Sequence, residues 1–172
     1  MAGLIHLYCG DGKGKTTAAV GLAVRASGAG KQVLFTQSFK DGSSSEIQQL
    51  RSLPNIQTVH ARTVNGFYWN MTPEQREKAR ADYTALFRQV TAQAQEADLL
   101  ILDEIVSACN RGVVPEELVT DFLENKPEHL EVVLTGRNPS AQLQEKADYI
   151  TEMCKLRHPF DRGTAARKGI EY

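Results

Sequence analysis

Short apolar runs alternate with longer amphipathic stretches along the whole chain. Leu4 to Tyr8, Val33 to Gln37, Ile56 to Ala61, Leu99 to Leu102, Val132 to Thr135 and Tyr149 to Met153 read as strands. Between them lie helical segments. The first runs from about Gly14 to Ser27, with Gly28-Ala29-Gly30 as its stop signal. Ile47 to Leu53 suggest a short helix. The longest opens at Thr72-Pro73-Glu74-Gln75, where Thr72 and Gln75 have capping-box spacing and proline stands first in the helix. Its stripe Ala79, Tyr83, Leu86, Phe87, Val90 and Ala94 marks a core-facing side. Further helices are expected from Pro115 to before Pro127, and from Ser140 to Lys146. Strictly alternating strands and helices predict an α/β fold with a mainly parallel central sheet flanked by helices.

Composition narrows this reading. With 172 residues, no internal repeat and no low-complexity linker, the chain is expected to form one domain over residues 1–172. A formal net charge of −1 argues against a general nucleic-acid or membrane-surface role. Neither a membrane-length apolar run nor a signal-peptide pattern stands in the sequence, so a cytoplasmic location is expected. Cys9, Cys109 and Cys154 are widely spaced and odd in number, which fits neither a disulfide framework nor a metal-type spacing. Cys9 reads as a small buried filler rather than a nucleophile.

Candidate chemistry begins at Gly10-Asp11-Gly12-Lys13-Gly14-Lys15-Thr16-Thr17, between the first strand and the first helix. That context suits a phosphate-binding loop, whose backbone N–H groups and helix dipole hold polyphosphate. Lys15 adds a point charge, and the Thr16 hydroxyl suits Mg²⁺. The first glycine of the usual G-x-x-x-x-G-K-[ST] pattern would fall at Cys9 but stands at Gly10, so the loop is one residue short.

Asp103-Glu104, after four apolar residues, is the expected second half of a nucleotide site, able to meet Mg²⁺ directly or through water. The same pair would suit the catalytic base of a hydrolase. Arg137, after Gly136, stands at the sheet edge where ligands bind, and its planar fork suits phosphate or ribose. On spacing alone a surface ion pair accounts for Arg137 equally well, and a solvated helix face accounts for Arg25. Phe67-Tyr68-Trp69 form an aromatic cluster in an expected loop, readable as local packing or as a platform for a large conjugated ligand.

Taken together, these residues resemble the ATP:corrinoid adenosyltransferases of the type with a phosphate loop, over nearly the whole chain. The likeness is carried by Gly10 to Ala19, Gln37 with Phe39-Lys40 and Gly42, and Gly66-Phe67-Tyr68-Trp69. It continues through Leu102-Asp103-Glu104, Thr135-Gly136-Arg137, His158, Phe160-Asp161, Gly163, Ala166 and Gly169-Ile170-Glu171-Tyr172. The resemblance implies a RecA-like fold of the P-loop NTPase type, usually as a homodimer. It implies transfer of the 5′-deoxyadenosyl group of MgATP to a corrinoid reduced to Co(I), with release of triphosphate. The co-substrate is ATP, the cofactor Mg²⁺, and an electron donor such as a flavoprotein would reduce the corrinoid.

Residue by residue, the likeness gives nucleotide contacts to Gly10, Asp11, Gly12, Lys13, Gly14, Lys15, Thr16, Thr17, Arg25 and Arg137. Thr16 and Glu104 would ligate Mg²⁺ with Asp103 in support. Lys15 would act on the leaving group, while Phe67 and Trp69 would pack below the corrin and displace its lower axial ligand. The family holds its nucleotide in the reverse sense along the loop. Two departures stand out: the chain starts almost on the first strand, where some members carry a longer covering segment, and Gln37-Ser38-Phe39-Lys40-Asp41-Gly42 is rearranged from Q-F-x-K-G. A γ-phosphate-cleaving phosphotransferase or NTPase, and a nucleotide-dependent binding module, are the alternatives.

Overall fold

A computed structural model of the chain describes residues 2–40, 42–61 and 71–171. The elements run β1 (Ile5–Cys9), α1 (Lys15–Gly28), β2 (Val33–Gln37), α2 (Ser45–Ser52), β3 (Ile56–Val59) and α3 (Pro73–Gln93). They continue with β4 (Leu99–Asp103), α4 (Ile105–Asn110), α5 (Glu116–Asn125), β5 (Glu131–Thr135), α6 (Ala141–Lys146) and β6 (Tyr149–Glu152). Six strands form one sheet in the order β3-β2-β4-β5-β1-β6. Every pairing is parallel. This is the α/β architecture that the alternation of elements predicts.

Buried parallel strands are apolar on both faces because helices cover both. Leu34, Leu100, Leu102, Val132 and Leu134 pack with the α3 stripe and with Val119, Leu123 and Leu143. Phe35, Ile101 and Val133 turn the other way, toward Ala19, Ala23, Ile47 and Leu50. Strand side chains alternate, so the last residue of a strand shares the face of the residue two before it. Gln37, Asp103 and Thr135 therefore end on the α1 side, beneath the start of that helix. The register aligns them, pairing Gln37 with Asp103 and Leu102 with Leu134. A polar row thus crosses the carboxyl edge of the sheet.

Local signals explain the starts of α3 and α6. The Thr72 hydroxyl accepts from Gln75 N at 3.3 Å and Thr72 N donates to Gln75 Oε1 at 2.9 Å, closing the capping box before Pro73. Ser140 caps α6 by accepting from Leu143 N. The strands begin or end within a residue or two of the apolar runs. Among the described α-helices, α4 is the one that sequence patterning did not predict. Among the described residues, no helix is long and apolar enough to cross a membrane.

Candidate active site

The β1–α1 turn is shaped by its neighbour β6 as well as by its glycines. Gly12 N donates to Met153 O at 2.7 Å, and Met153 N donates to Cys9 O at 2.9 Å. A Cβ on Gly10 or on Gly12 would lie 2.5 Å from Met153 O, so only glycine lets the chain leaving β6 run this close. Asp11 Oδ1 accepts a 3.3 Å hydrogen bond from Lys155 N, which ties the loop to the segment after β6.

Lys15, buried at the start of α1, reaches back across the loop and donates to Gly10 O at 2.7 Å and Gly12 O at 2.8 Å. An ammonium has three donors, so one remains for a ligand in the cradle. Burial lowers the Lys15 pKa from 10.5, and the positive charge of Arg137 lowers it further. Arg137 thus lies in electrostatic reach of the loop, at the carboxyl edge. Its peptide oxygen is held by Asn110 Nδ2 at 2.8 Å.

Beneath the loop, the polar row becomes a connected network. Thr16 Oγ1 and Thr135 Oγ1 both donate to Asp103 Oδ1, at 2.9 and 2.7 Å. Gln37 Nε2 donates to Asp103 Oδ2 and to Glu46 Oε1, each at 3.1 Å. Glu46 lies 3.6 Å from Lys40 Nζ, so the network links the loop to α2. Asp103 is fully buried. Burial pushes its pKa above 3.8, against the lowering effects of the Thr135 hydrogen bond and the Lys40 charge.

Glu104 leaves the strand in the left-handed region, at φ 61, and starts α4. Its N–H donates to Thr135 Oγ1 at 2.8 Å, and its Oε2 accepts from Ser107 Oγ at 2.5 Å. Phe39 after β2 and Asn138 after β5 are the other non-glycine residues with positive φ among those described. All three follow strands that end at this edge, the pattern of strain gathered at a functional rim.

Two clefts flank the loop. The larger, about 510 Å³, lies toward α2 and is lined by Thr16, Thr17, Val20, Lys40 and Gln49 among others. The smaller, about 380 Å³, lies on the β6 side and is basic, with Lys155, Arg157, His158 and Arg167 in its wall. Lys13, Ile170 and Glu171 border both.

The comparisons bear directly on this site. A family model described as ATP:corrinoid adenosyltransferase BtuR/CobO/CobP matches residues 1–172. The chain belongs to this family. It is 31% identical over 171 residues to a corrinoid adenosyltransferase of Pseudomonas aeruginosa, covering 99% of this chain and 84% of that protein. It is 32% identical over 176 residues to a corrinoid adenosyltransferase of Escherichia coli, covering 99% and 86%. Among solved structures, the cytoplasmic domain of EssC superposes with a TM-score of 0.51 at 13% identity, over 97% of this chain and 38% of that one. That likeness shows the fold alone, the RecA-like α/β arrangement that the adenosyltransferase resemblance implies. The protein is accordingly an ATP:corrinoid adenosyltransferase, a transferase.

Of the site residues expected from sequence, the structure brings Gly10 to Thr17, Asp103, Glu104 and Arg137 to one edge of the sheet. Arg25 is exposed, ten positions beyond Lys15 on the same helix, or about 15 Å along its axis. Its positive charge acts on Tyr8 of β1, two residues before Gly10. Phe67 and Trp69 lie outside the described residues. Cys9 is buried with its thiol pKa raised by that burial, as suits a filler. Sequence reasoning assigned no role to Thr135, Glu46 or Glu171. Thr135 carried a signal as the residue that ends an apolar strand before Gly136-Arg137, and Glu171 stands in the terminal stretch that carries the family likeness.

Donors for a divalent metal lie at the loop. Among the described residues no cluster of three His, Cys, Asp or Glu side chains could hold a metal unaided. Mg²⁺ does not need one, because it commonly takes one or two protein oxygens together with substrate phosphates and waters. The Thr16 hydroxyl keeps lone pairs while it donates to Asp103, and Glu104 Oε1 shares its carboxylate with the Ser107-bonded Oε2. These residues fit the ion.

Proposed function

We propose that the chain transfers the 5′-deoxyadenosyl group of MgATP to the Co(I) centre of a reduced corrinoid, in adenosylcobalamin biosynthesis or corrinoid salvage. The family match across residues 1–172 is the observation that carries this reading. In the step, the Co(I) electron pair attacks C5′, a cobalt–carbon bond forms, and the C5′–oxygen bond to the α-phosphate breaks. The bond's electron pair leaves with the triphosphate, and cobalt becomes formally Co(III). A nucleophile this strong needs no protein base, so the protein contributes position and charge.

The chain's own residues suit that task. The N–H groups at the start of α1 and the remaining Lys15 donor would neutralise the triphosphate as it departs. Thr16 and Glu104 would hold Mg²⁺, and Asp103, with donors on both oxygens, would orient Thr16. Bound there, Mg²⁺ supplies charge that stabilises the leaving phosphates. Arg137 would add a further positive charge in electrostatic reach of Lys15.

The two clefts support a sense for the nucleotide. The α2-side cleft offers apolar Val20 and Ile170 beside polar Ser45 and Gln49, a lining suited to a nucleoside. The β6-side cleft is basic, suited to the distal phosphates. Adenosine toward α2 and the γ-phosphate toward β6 is the arrangement we propose. Phe67 and Trp69 are proposed below the corrin on resemblance alone.

The test is incubation of the full chain with MgATP and a chemically reduced corrinoid. A light-sensitive adenosylated corrinoid is the expected product. Tight ATP binding without that product would contradict the proposal and leave a binding module.

A further inference from the structure

The final turn of the described chain folds back onto the loop. Ile170 N and Glu171 N donate to Arg167 O at 3.2 and 2.9 Å. Glu171 Oε2 accepts from Arg167 N at 2.8 Å and from Arg167 Nε at 3.2 Å, and Oε1 accepts from Arg167 Nη2 at 3.0 Å. The carboxylate thus fills the guanidinium fork in the two-pronged manner that a phosphate also uses. It does so on the border of both clefts, with Lys13 beside it.

We propose that Arg167, with Lys13, is a clamp for the terminal phosphate of ATP, and that Glu171 occupies it until the γ-phosphate displaces the carboxylate. The proposal rests on the adenosyltransferase reading and on the nucleotide sense given above. Three observations carry it. Arg167 borders the same basic cleft as Gly12 and Lys13 of the loop. Its partner is a local carboxylate four residues away, an exchangeable anion on a partly exposed turn rather than a buried structural pair. The positive charge of Lys13 also acts on Glu171, so the carboxylate answers to both members of the clamp.

The consequence is selection by phosphate number. A triphosphate placed with its γ-phosphate toward β6 reaches the fork, whereas a diphosphate held by the same loop ends short of it. Glu171 sets a threshold, because an incoming anion has to outcompete it. After transfer, the same carboxylate helps the free triphosphate to leave by retaking the fork.

The test is calorimetric titration of the full chain, with Mg²⁺ present, using ATP, ADP and inorganic triphosphate as probes. Arg167→Gln is expected to weaken ATP and triphosphate about tenfold, the scale of one charge-assisted contact, and to leave ADP within about twofold. Glu171→Gln, which keeps shape and removes charge, is expected to tighten ATP and triphosphate severalfold. Equal weakening of ATP and ADP by Arg167→Gln would overturn the clamp, as would weaker triphosphate binding in Glu171→Gln. Analysis of the wild-type products separates the two levels. Triphosphate release alongside either contrary result overturns the clamp alone, while ADP and orthophosphate overturn the underlying reading and the clamp with it.

Discussion

Thr16 and Asp103, 87 positions apart in sequence, are joined by a 2.9 Å hydrogen bond from Oγ1 to Oδ1. The bond couples the first turn of α1 to the end of β4, and Asp103 Oδ1 also takes the Thr135 hydroxyl. Asp103→Ala would take this acceptor from the buried Thr135 hydroxyl and from the half-buried Thr16 hydroxyl, and would leave the buried Gln37 amide with Glu46 alone. We expect a loss of about 3 kcal/mol of stability, read as a lower urea midpoint at unchanged slope. A loss below about 1 kcal/mol would mean that the network is dispensable to the fold.

The same carboxyl makes stability depend on pH. Burial raises its folded-state pKa above 3.8. A group with a raised folded-state value contributes stability that is fully present below the unfolded value and is lost as pH rises through the folded one. Asp103→Asn lacks this titration. The stability of the wild type relative to Asp103→Asn is therefore expected to decline as pH rises from below 3.8 toward neutrality. Urea unfolding of both proteins across that range checks it, and a difference that stays constant or grows with pH would contradict it.

Lys15 sits on two loop carbonyls with one donor left for the ligand. Lys15→Ala is expected to lower kcat by roughly 100-fold, about 3 kcal/mol of leaving-group stabilisation. Steady-state kinetics at saturating ATP measures this. A change confined to KM would assign Lys15 to uniform binding instead.

Gly12→Ala introduces a Cβ 2.5 Å from Met153 O and 2.9 Å from the Cys154 carbonyl carbon. Backbone has to move, so the expected cost is about 1–3 kcal/mol, together with weaker ATP binding. Thermal unfolding and titration of one sample measure both effects. Unchanged ATP affinity would show that the loop tolerates displacement of the chain after β6.

Trp69→Ala tests the corrin-side proposal. Its rate is expected to fall when a weak reductant has to convert Co(II) corrinoid on the enzyme, and to fall much less when Co(I) is supplied. Equal loss in the two assays would assign Trp69 to packing.

How far the fold was legible follows from particular elements. β2 matches its apolar run residue for residue, and α3 starts at a capping box whose hydrogen bonds both form. Long periodic segments announce themselves. The helix α4 does not, because six residues display less than two turns of periodicity and its start depends on Glu104 at φ 61. That conformation is held by the Thr135 hydroxyl on another strand, a tertiary contact that no local pattern contains. The loop and Asp103-Glu104 were readable because glycine spacing and a strand-end carboxylate are local signals. The place of Glu171 was not, since it depends on the chain after β6 passing the loop.

The most direct test of the central claim is the identity of the phosphorus product, read by phosphorus NMR after one turnover with MgATP and Co(I) corrinoid. Inorganic triphosphate is expected, equal in amount to the adenosylated corrinoid. ADP with orthophosphate would mean that the loop presents the γ-phosphate for cleavage, and would contradict that claim.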